Sequence, residues 1–381
     1  MSIEIVPITR KNLDLVAKAG SKWGMPRSVG WLERCMFDPT VEDLVDDECR
    51  GHMAVNEVNE PIAIQGYYYM PGYFRQKKIL INTGCIMGSE AKYGEELICC
   101  LDENQKTNVI GTMTSANCIA NAKSAKVNRV VHRMKEAPKE CRERRFALTD
   151  ITGYFLCALQ YMLHLPIAFI NFTWVLLRPI SWFLARIQAG FRPSYGYTMR
   201  RVDSFMDMRY KKFWEKLLAW NDGLMVSRSP ERMAWLFDAS INAGNVGLVA
   251  AEMKGEIRGY VLIRRMPKVK GCIFGDFQIC DICALDGNVS CLKALAWAAV
   301  SYAGRHGGRR VLMYGALPNQ ANWLNTAFCH KRIEDHATFM YVVHDTPDKV
   351  AISQAITEGK GWFFGPLDGE RCLGYGGYVD Y

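Results

Sequence analysis

Apolar and polar positions follow two different periods along this chain, and one central stretch abandons alternation altogether. Near the start, IEIVPITR reads as a strand, and NLDLVAKAGSKWG and SVGWLERCMF space their apolar residues as two helices do. HMAVNEV, a turn at Asn59-Glu60-Pro61, IAIQGYYYM and KKILINTGCIM then switch to period two, which predicts an antiparallel meander. EELICCLDENQ predicts a helix, NVIGTMTS a strand and ANAKSAKVNRVVHRM a helix.

Later in the chain the same order returns. YKKFWEKLLAWN and SPERMAWLFDASI read as helices, and VGLVAAEMKGEIRGYVLIRRM as a hairpin turning at Lys254-Gly255. CIFGDFQICDICAL is the next strand, VSCLKALAWAAVSYAGRHG a long helix, RRVLMYGAL a strand, NQANWLNTAFC a helix and ATFMYVVH a closing strand. Between the two sets lies ITGYFLCALQYMLHLPIAFINFTWVLL, Ile151 to Leu177, apolar throughout and without a formal charge. Its length would span a bilayer, yet Pro166 divides it into two pieces too short to span alone. Arginines flank both ends, Arg129 to Arg145 upstream and Arg178 to Arg201 downstream, which does not give the one-sided charge of a single span. A bent hairpin lying in one leaflet fits this pattern, with Trp174, Trp182, Tyr154 and Tyr161 near the headgroups. A helix pair buried between two domains fits it too.

A chain of 381 residues exceeds one ordinary core and suits two domains with a connector. The pattern divides it at 1–135, 136–195 and 196–381. Apolar residues at 49% and charged residues at 23% are globular values, and the net charge of +8 favours anionic lipid, an acidic carrier protein or nucleic acid without choosing among them. Fourteen scattered cysteines and a start without the basic-then-apolar signal pattern lead to the expectation of a reducing cytoplasm.

The fold class is α/β with mixed sheets, and its element order, with the ending RRVLMYGALPNQANWLNTAF, resembles the GNAT acyltransferase superfamily as a pair of units joined by an apolar helical connector. The resemblance implies that two central strands splay apart and admit the pantetheine arm of an acyl thioester, with no permanently bound cofactor. It also implies a phosphate loop at a helix start. In the first unit that place holds Ser89, Lys92 and Gly94, of which only Gly94 matches the family's glycine pattern. The second unit has Leu285-Asp286-Gly287, where Gly287 remains and Asp286 would repel a pyrophosphate, so a carrier-protein thioester suits it better than CoA.

For the chemistry, the second unit offers Asp281 among apolar neighbours on its strand, a carboxylate whose partial burial would raise its pKa toward that of a general base. The resemblance implies a role for Tyr314 at the end of the next strand and for Asn319 and Asn322 at the start of the following helix. Capping and ordinary pairing explain the same residues. Cys280 and Cys283 form a CxxC, but residues three apart on a strand point to opposite faces and no second pair follows, so no metal site is expected. HKRIED, His330 to Asp335, matches the H-x-x-x-x-D of glycerolipid acyltransferases without their companion motifs, and Arg305 to Arg310 falls at a helix-to-strand turn. Tyr67, Tyr68 and Tyr69 read as core walls, with at least one hydroxyl needing a polar partner.

The expectation is a cytoplasmic, peripherally membrane-associated enzyme that moves an acyl group from acyl-carrier protein or acyl-CoA to a small amine. Two readings stay open beside it: an aminoacyltransferase similar to the Fem family, using charged tRNA, and a non-catalytic membrane-tethered scaffold. Nucleic acid is the less expected partner, because Glu136, Glu140 and Glu143 interrupt the basic stretch that would bind it.

Overall fold

The computed structural model describes residues 3–23, 27–45, 49–90, 110–116, 135–136, 143–190, 194–266, 275–314, 330–333, 337–343, 347–359 and 362–363. These residues form two compact units that interleave along the chain: Met1–Arg142 with Asn221–Leu236 and Asp335–Tyr381, and Glu143–Trp220 with Phe237–Glu334. The sequence pattern divides the chain into consecutive stretches, whereas the units trade segments.

In the first unit, β1 (Glu4–Pro7), β2 (Gly51–Val55), β3 (Pro61–Phe74) and β4 (Lys77–Ser89) are successive antiparallel neighbours. Arg75 and Gln76, both at positive φ, form the two-residue turn between the two long strands. β5 (Ile110–Ala116) lies parallel to β4, and its other edge is taken by β15 (Ala337–Val342), a strand from far down the chain, which also pairs with the two-residue β6 (Lys135–Glu136). β9 (Leu224–Val226) pairs with the end of β3 and with β16 (Trp362–Phe363). Helices α1 (Leu13–Lys22) and α2 (Val29–Met36) pack on β3. Ser28 caps α2 by accepting from the Trp31 amide at 3.2 Å. The helices expected at EELICCLDENQ and ANAKSAKVNRVVHRM lie outside the described residues.

The second sheet runs β14 (His330–Ile333), β7 (Glu143–Leu148), β13 (Gly308–Tyr314), β12 (Gly275–Ala284), β11 (Glu256–Arg265), β10 (Val246–Met253) and β8 (Thr198–Val202). All neighbours are antiparallel except β12 and β13. Lys254 and Gly255 both have positive φ, which makes the predicted hairpin turn a tight one whose twist matches the strands. Two expectations are corrected here. The closing strand pairs in the first sheet, and the basic stretch before the apolar run ends in β7, where Arg145 is buried opposite Met313 and so unavailable to lipid.

One face of this sheet is covered by α7 (Val289–Arg305), whose Cys291, Leu295 and Ala299 pack on Val261, Ile263, Ile279 and Val311. The helix starts where Asn288 accepts from the Cys291 amide at 2.9 Å. Helix α5 (Met208–Trp220) packs on β11, and Phe205, Tyr210 and Phe213 set their rings edge-on to Tyr260 at 5.4 to 5.8 Å. Helix α6 (Pro230–Asn242) carries the chain from one unit to the other, and α8 (Lys349–Glu358) lies in the first.

The apolar run is a helical hairpin, α3 (Ile151–Leu163) and α4 (Ile167–Gly190). His164 in the left-handed region ends α3, and the Pro166 carbonyl accepts from the Ile170 amide to begin α4. Asp150 fastens the base. Its carboxylate accepts from the Gly153 amide at 3.1 Å, the Trp174 indole at 2.7 Å, Ser181 at 2.7 Å and Thr152 at 2.6 Å. The Thr149 and Asp150 amides donate to the Arg309 carbonyl at 2.9 and 3.1 Å, which ties the hairpin to β13. Trp174, expected near headgroups, is therefore buried with Leu156 and Ile170.

Candidate active site

Two parallel strands share a ladder only while their edges stay about 5 Å apart, so the point where pairing stops marks where another group fits between them. In the second unit the β12–β13 ladder runs from Gly275↔Gly308 to Ile279↔Met313. β12 then continues five residues to Ala284 paired only with β11, and among the described residues no strand pairs with its other edge. The departure begins at a bulge: Ile263 faces Ile279 and Leu262 faces Asp281, leaving Cys280 as the extra residue. The bulge resets the alternation, which is why Ile279 and Ile282, three apart, both join the core under α7.

The first unit repeats this geometry. β4 and β5 pair from Ile81↔Ile110 to Thr83↔Thr112; among the described residues β4 then continues on β3 alone to Ser89, and β5 on β15 alone to Ala116. A bulge again sits at the parting, with Cys85 extra between Gly84 and Ile86. Matching the two bulges sets Ile86 where the second unit has Asp281. Only the second parting therefore carries a carboxylate one residue past the extra cysteine.

That carboxylate is not the half-exposed base expected from its neighbours. Asp281 has 0% exposure, and Tyr260, inside its ring of aromatic side chains, donates its hydroxyl to Oδ2. A carboxylate with no exposed surface is out of contact with solvent, and the phenol bond supplies part of the compensation that a buried carboxylate requires. Its neighbours Cys280 and Cys283 are buried and not joined in a disulfide.

Beyond β12 the chain turns through Asp286 and Gly287, both at positive φ, into α7. Gly287 lies against the Trp220 ring, which an added Cβ would approach to 3.6 Å. Asp286 is exposed and faces the Arg258 guanidinium at 3.7 Å, and Asn288 already occupies the Cys291 amide. Tyr197 also donates its hydroxyl to Asn288, at 3.3 Å, and burial pushes the Tyr197 phenol above its usual range. This helix start thus offers a phosphate fewer bare amides than an uncapped one. In the first unit Ser89 closes β4 opposite Ala63, half-buried, while Lys92 and Gly94 lie outside the described residues. Tyr314 is the last residue of β13, opposite Arg144, and Asn319 and Asn322 lie outside the described residues. The tyrosine cluster is core: Tyr67, Tyr68 and Tyr69 are buried, and the Tyr67 hydroxyl accepts from Gln65 at 3.1 Å.

Near the opposite end of the ladder, Asp276 binds Arg309 at 2.5 Å and Arg310 at 2.8 Å. Burial pulls its carboxyl pKa upward, and the two guanidiniums more than offset this, so it stays below the usual carboxylate range. The bulge and the two partings were not legible from alternation. The one local sign is Gly84 beside Cys85, a glycine in the interior of a strand.

No family model matches the sequence, and no curated protein matches it. Solved structures do match its shape. N-myristoyltransferase of Saccharomyces cerevisiae with bound myristoyl-CoA and inhibitors is 10% identical, with a TM-score of 0.53 over 91% of this chain and 83% of that one. The same enzyme with bound myristoyl-CoA gives 11%, 0.51, 91% and 86% in a further structure. A conserved protein of unknown function from Enterococcus faecalis V583, described as a probable N-acyltransferase, is 12% identical with a TM-score of 0.50, covering 90% of this chain and 73% of that one. The fold is GNAT-like.

Proposed function

We propose that the protein is an N-acyltransferase that carries an acyl group from a thioester to an amine while resting on a membrane surface. The parting of β12 from β13 at the Cys280 bulge carries this reading. A pantetheine arm laid along the bare edge of β12 would complete that edge as an added strand and bring the thioester to the bulge. The neutral amine attacks the thioester carbonyl carbon, backbone donors stabilise the oxyanion, the C–S bond breaks, and the thiolate takes up a proton. An α-amine titrates near 8, so a useful neutral fraction exists without a buried base. Asp281 and Tyr260 then act as positioning residues that hold the bulged backbone. Tyr314, at the end of β13, is the nearest described hydroxyl-bearing position along that strand for protonating the thiolate.

For the donor, Asp286 and the capped start of α7 favour a thioester with a single phosphate, as on an acyl carrier protein. The myristoyl-CoA bound by the yeast enzyme of the same fold supports a long acyl chain on either carrier. The hairpin supports membrane contact: Phe155, Met162, Phe169, Phe172, Leu176 and Phe183 are all exposed along it. No helix among the described residues is long and apolar enough to cross a membrane, so the hairpin would lie in the interface.

The test is a panel of acyl-CoA and acyl-carrier-protein donors of graded length with candidate amines, read as free thiol and as N-acyl product by mass spectrometry. Release of thiol together with product is the expected result. No release from any donor leaves a scaffold, and product formed only from aminoacyl-tRNA leaves the Fem-like alternative.

A further inference from the structure

A groove of about 300 Å³ runs along the second unit between the edge strand β8, its neighbour β10 and the C-terminal half of α7. Its floor is apolar, from Met199, Val249, Ala294 and Ala298, and the aromatic residues Trp297 and Tyr302 line it further. The groove exists because α7 presents small residues at 294, 298 and 301, and because Gly247 leaves room for the Tyr302 ring, which any added Cβ would overlap.

Two arginines belong to the lining, and neither is firmly engaged. Arg201 is about half exposed, and its partner Asp203, at 3.6 Å, is almost fully in water, so that pair is screened. Arg305 is exposed and reaches only the Ser301 carbonyl at 3.4 Å and hydroxyl at 3.3 Å. An apolar floor under guanidiniums fits a ligand with an anionic, multi-oxygen head and a hydrocarbon tail, because guanidinium forks match phosphate oxygens in pairs.

The groove sits at the end of α7 that carries the hairpin. Helix α4 packs on α7, and Gly307, two residues past Arg305, lies 4.0 Å by its notional Cβ from the Trp174 ring at the hairpin base. The turn at Asp286–Gly287 is at the other end of this helix, about 25 Å away along 17 residues. We infer that the groove seats one anionic phospholipid of the bilayer on which the hairpin rests, with its phosphate on Arg201 and Arg305 and the start of its acyl chain over Ala294 and Ala298. This rests on the membrane part of the proposed function, and it turns the hairpin from a nonspecific float into one half of a lipid-selective dock.

The experiment is vesicle flotation of the full chain on phosphatidylcholine alone and on phosphatidylcholine doped with phosphatidylglycerol. It is paired with tryptophan-fluorescence titration by a short-chain phosphatidylglycerol kept monomeric. Four variants are compared: Arg201→Gln with Arg305→Gln, Ala298→Phe to fill the groove, Phe172→Glu with Leu176→Glu on the hairpin, and Lys211→Gln with Lys212→Gln on α5 as a charge-matched control. Circular dichroism confirms that each is folded. The arginine pair should lose roughly five- to thirty-fold on doped vesicles and keep its affinity for phosphatidylcholine, as removal of one or two surface guanidiniums predicts. The filled groove should lose the short-chain titration. The hairpin variant should float with neither vesicle and still titrate.

Unchanged preference in the arginine pair, an unchanged titration in Ala298→Phe, or an equal loss in the lysine control overturns the groove. A wild-type chain that titrates the short-chain lipid but floats with no vesicle supports the groove and overturns the hairpin reading instead.

Discussion

Asp150 shows how much one side chain holds in this molecule. Its carboxylate joins α3 to α4 through four donors, while its own backbone amide holds β13. Burial pulls its pKa up, and the bonds from Thr152, Gly153, Ser181 and Trp174 together pull it further down, leaving it below the ordinary aspartate value. A depressed native pKa adds stability that is complete above the unfolded value near 4 and lost as pH falls through the native one. Asp150→Ala should therefore cost about 2–4 kcal/mol, from a lost cap and the lost acceptor for Trp174 and Ser181, read as a lower Tm at neutral pH. The difference from wild type should shrink below pH 4; a gap that stays constant into acid would contradict the assignment.

Asp281 gives a sharper test at the same scale. As a positioning residue that accepts from Tyr260, it should tolerate Asp281→Asn with less than a roughly tenfold loss of kcat and an unshifted pH profile, since the amide oxygen still accepts. Tyr260→Phe takes a phenol donor from a buried carboxylate and should lower Tm more than the asparagine change does. A loss of a thousandfold in kcat by Asp281→Asn in a folded protein would restore the carboxylate as the base.

At the scale of elements, the sequence was most legible where chemistry is local. Lys254-Gly255 gave the hairpin turn because a two-residue connection between alternating arms demands positive φ. Pro166 gave the break between α3 and α4, and the apolar run gave a helix pair rather than a span. What stayed hidden depends on partners distant in sequence. Nothing in ERRFAL says that it will pair with β13, and nothing in ICDIC says that Cys280 will be extra on its strand. Asp281 was named from its apolar strand neighbours and the other site residues from the resemblance, and their surroundings, above all the phenol on Asp281, were invisible to spacing. The bulge itself is testable: deleting Cys280 should straighten the pairing while Ile279 and Ile282 stay on the α7 side and Asp281 stays opposite Leu262, so the protein should remain folded by circular dichroism and lose any thiol-release activity.

For the whole molecule, the exchange of segments decides how the chain divides. The first sheet lacks β9, β15 and β16 without the later segments, and the second lacks its β13 neighbour without β7. A fragment covering residues 1–142 should therefore fail to give a cooperative thermal transition, although it contains most of one sheet. A fragment starting at residue 196 should fail likewise, and adding back residues 143–195 should improve its solubility. If either short fragment melts cooperatively with a dispersed NMR spectrum, the units are more independent than their strand order implies.

The late arrival of β15 also bears on how a ribosome makes this protein. Roughly two hundred residues separate β5 from the strand that closes its edge, which at ordinary synthesis speeds leaves a nascent chain unfinished for roughly ten to forty seconds. Throughout that interval the β5 edge has no β15 to cover it while the greasy hairpin emerges behind it, so production of the intact protein should depend on chaperone capacity and on how fast messages are translated.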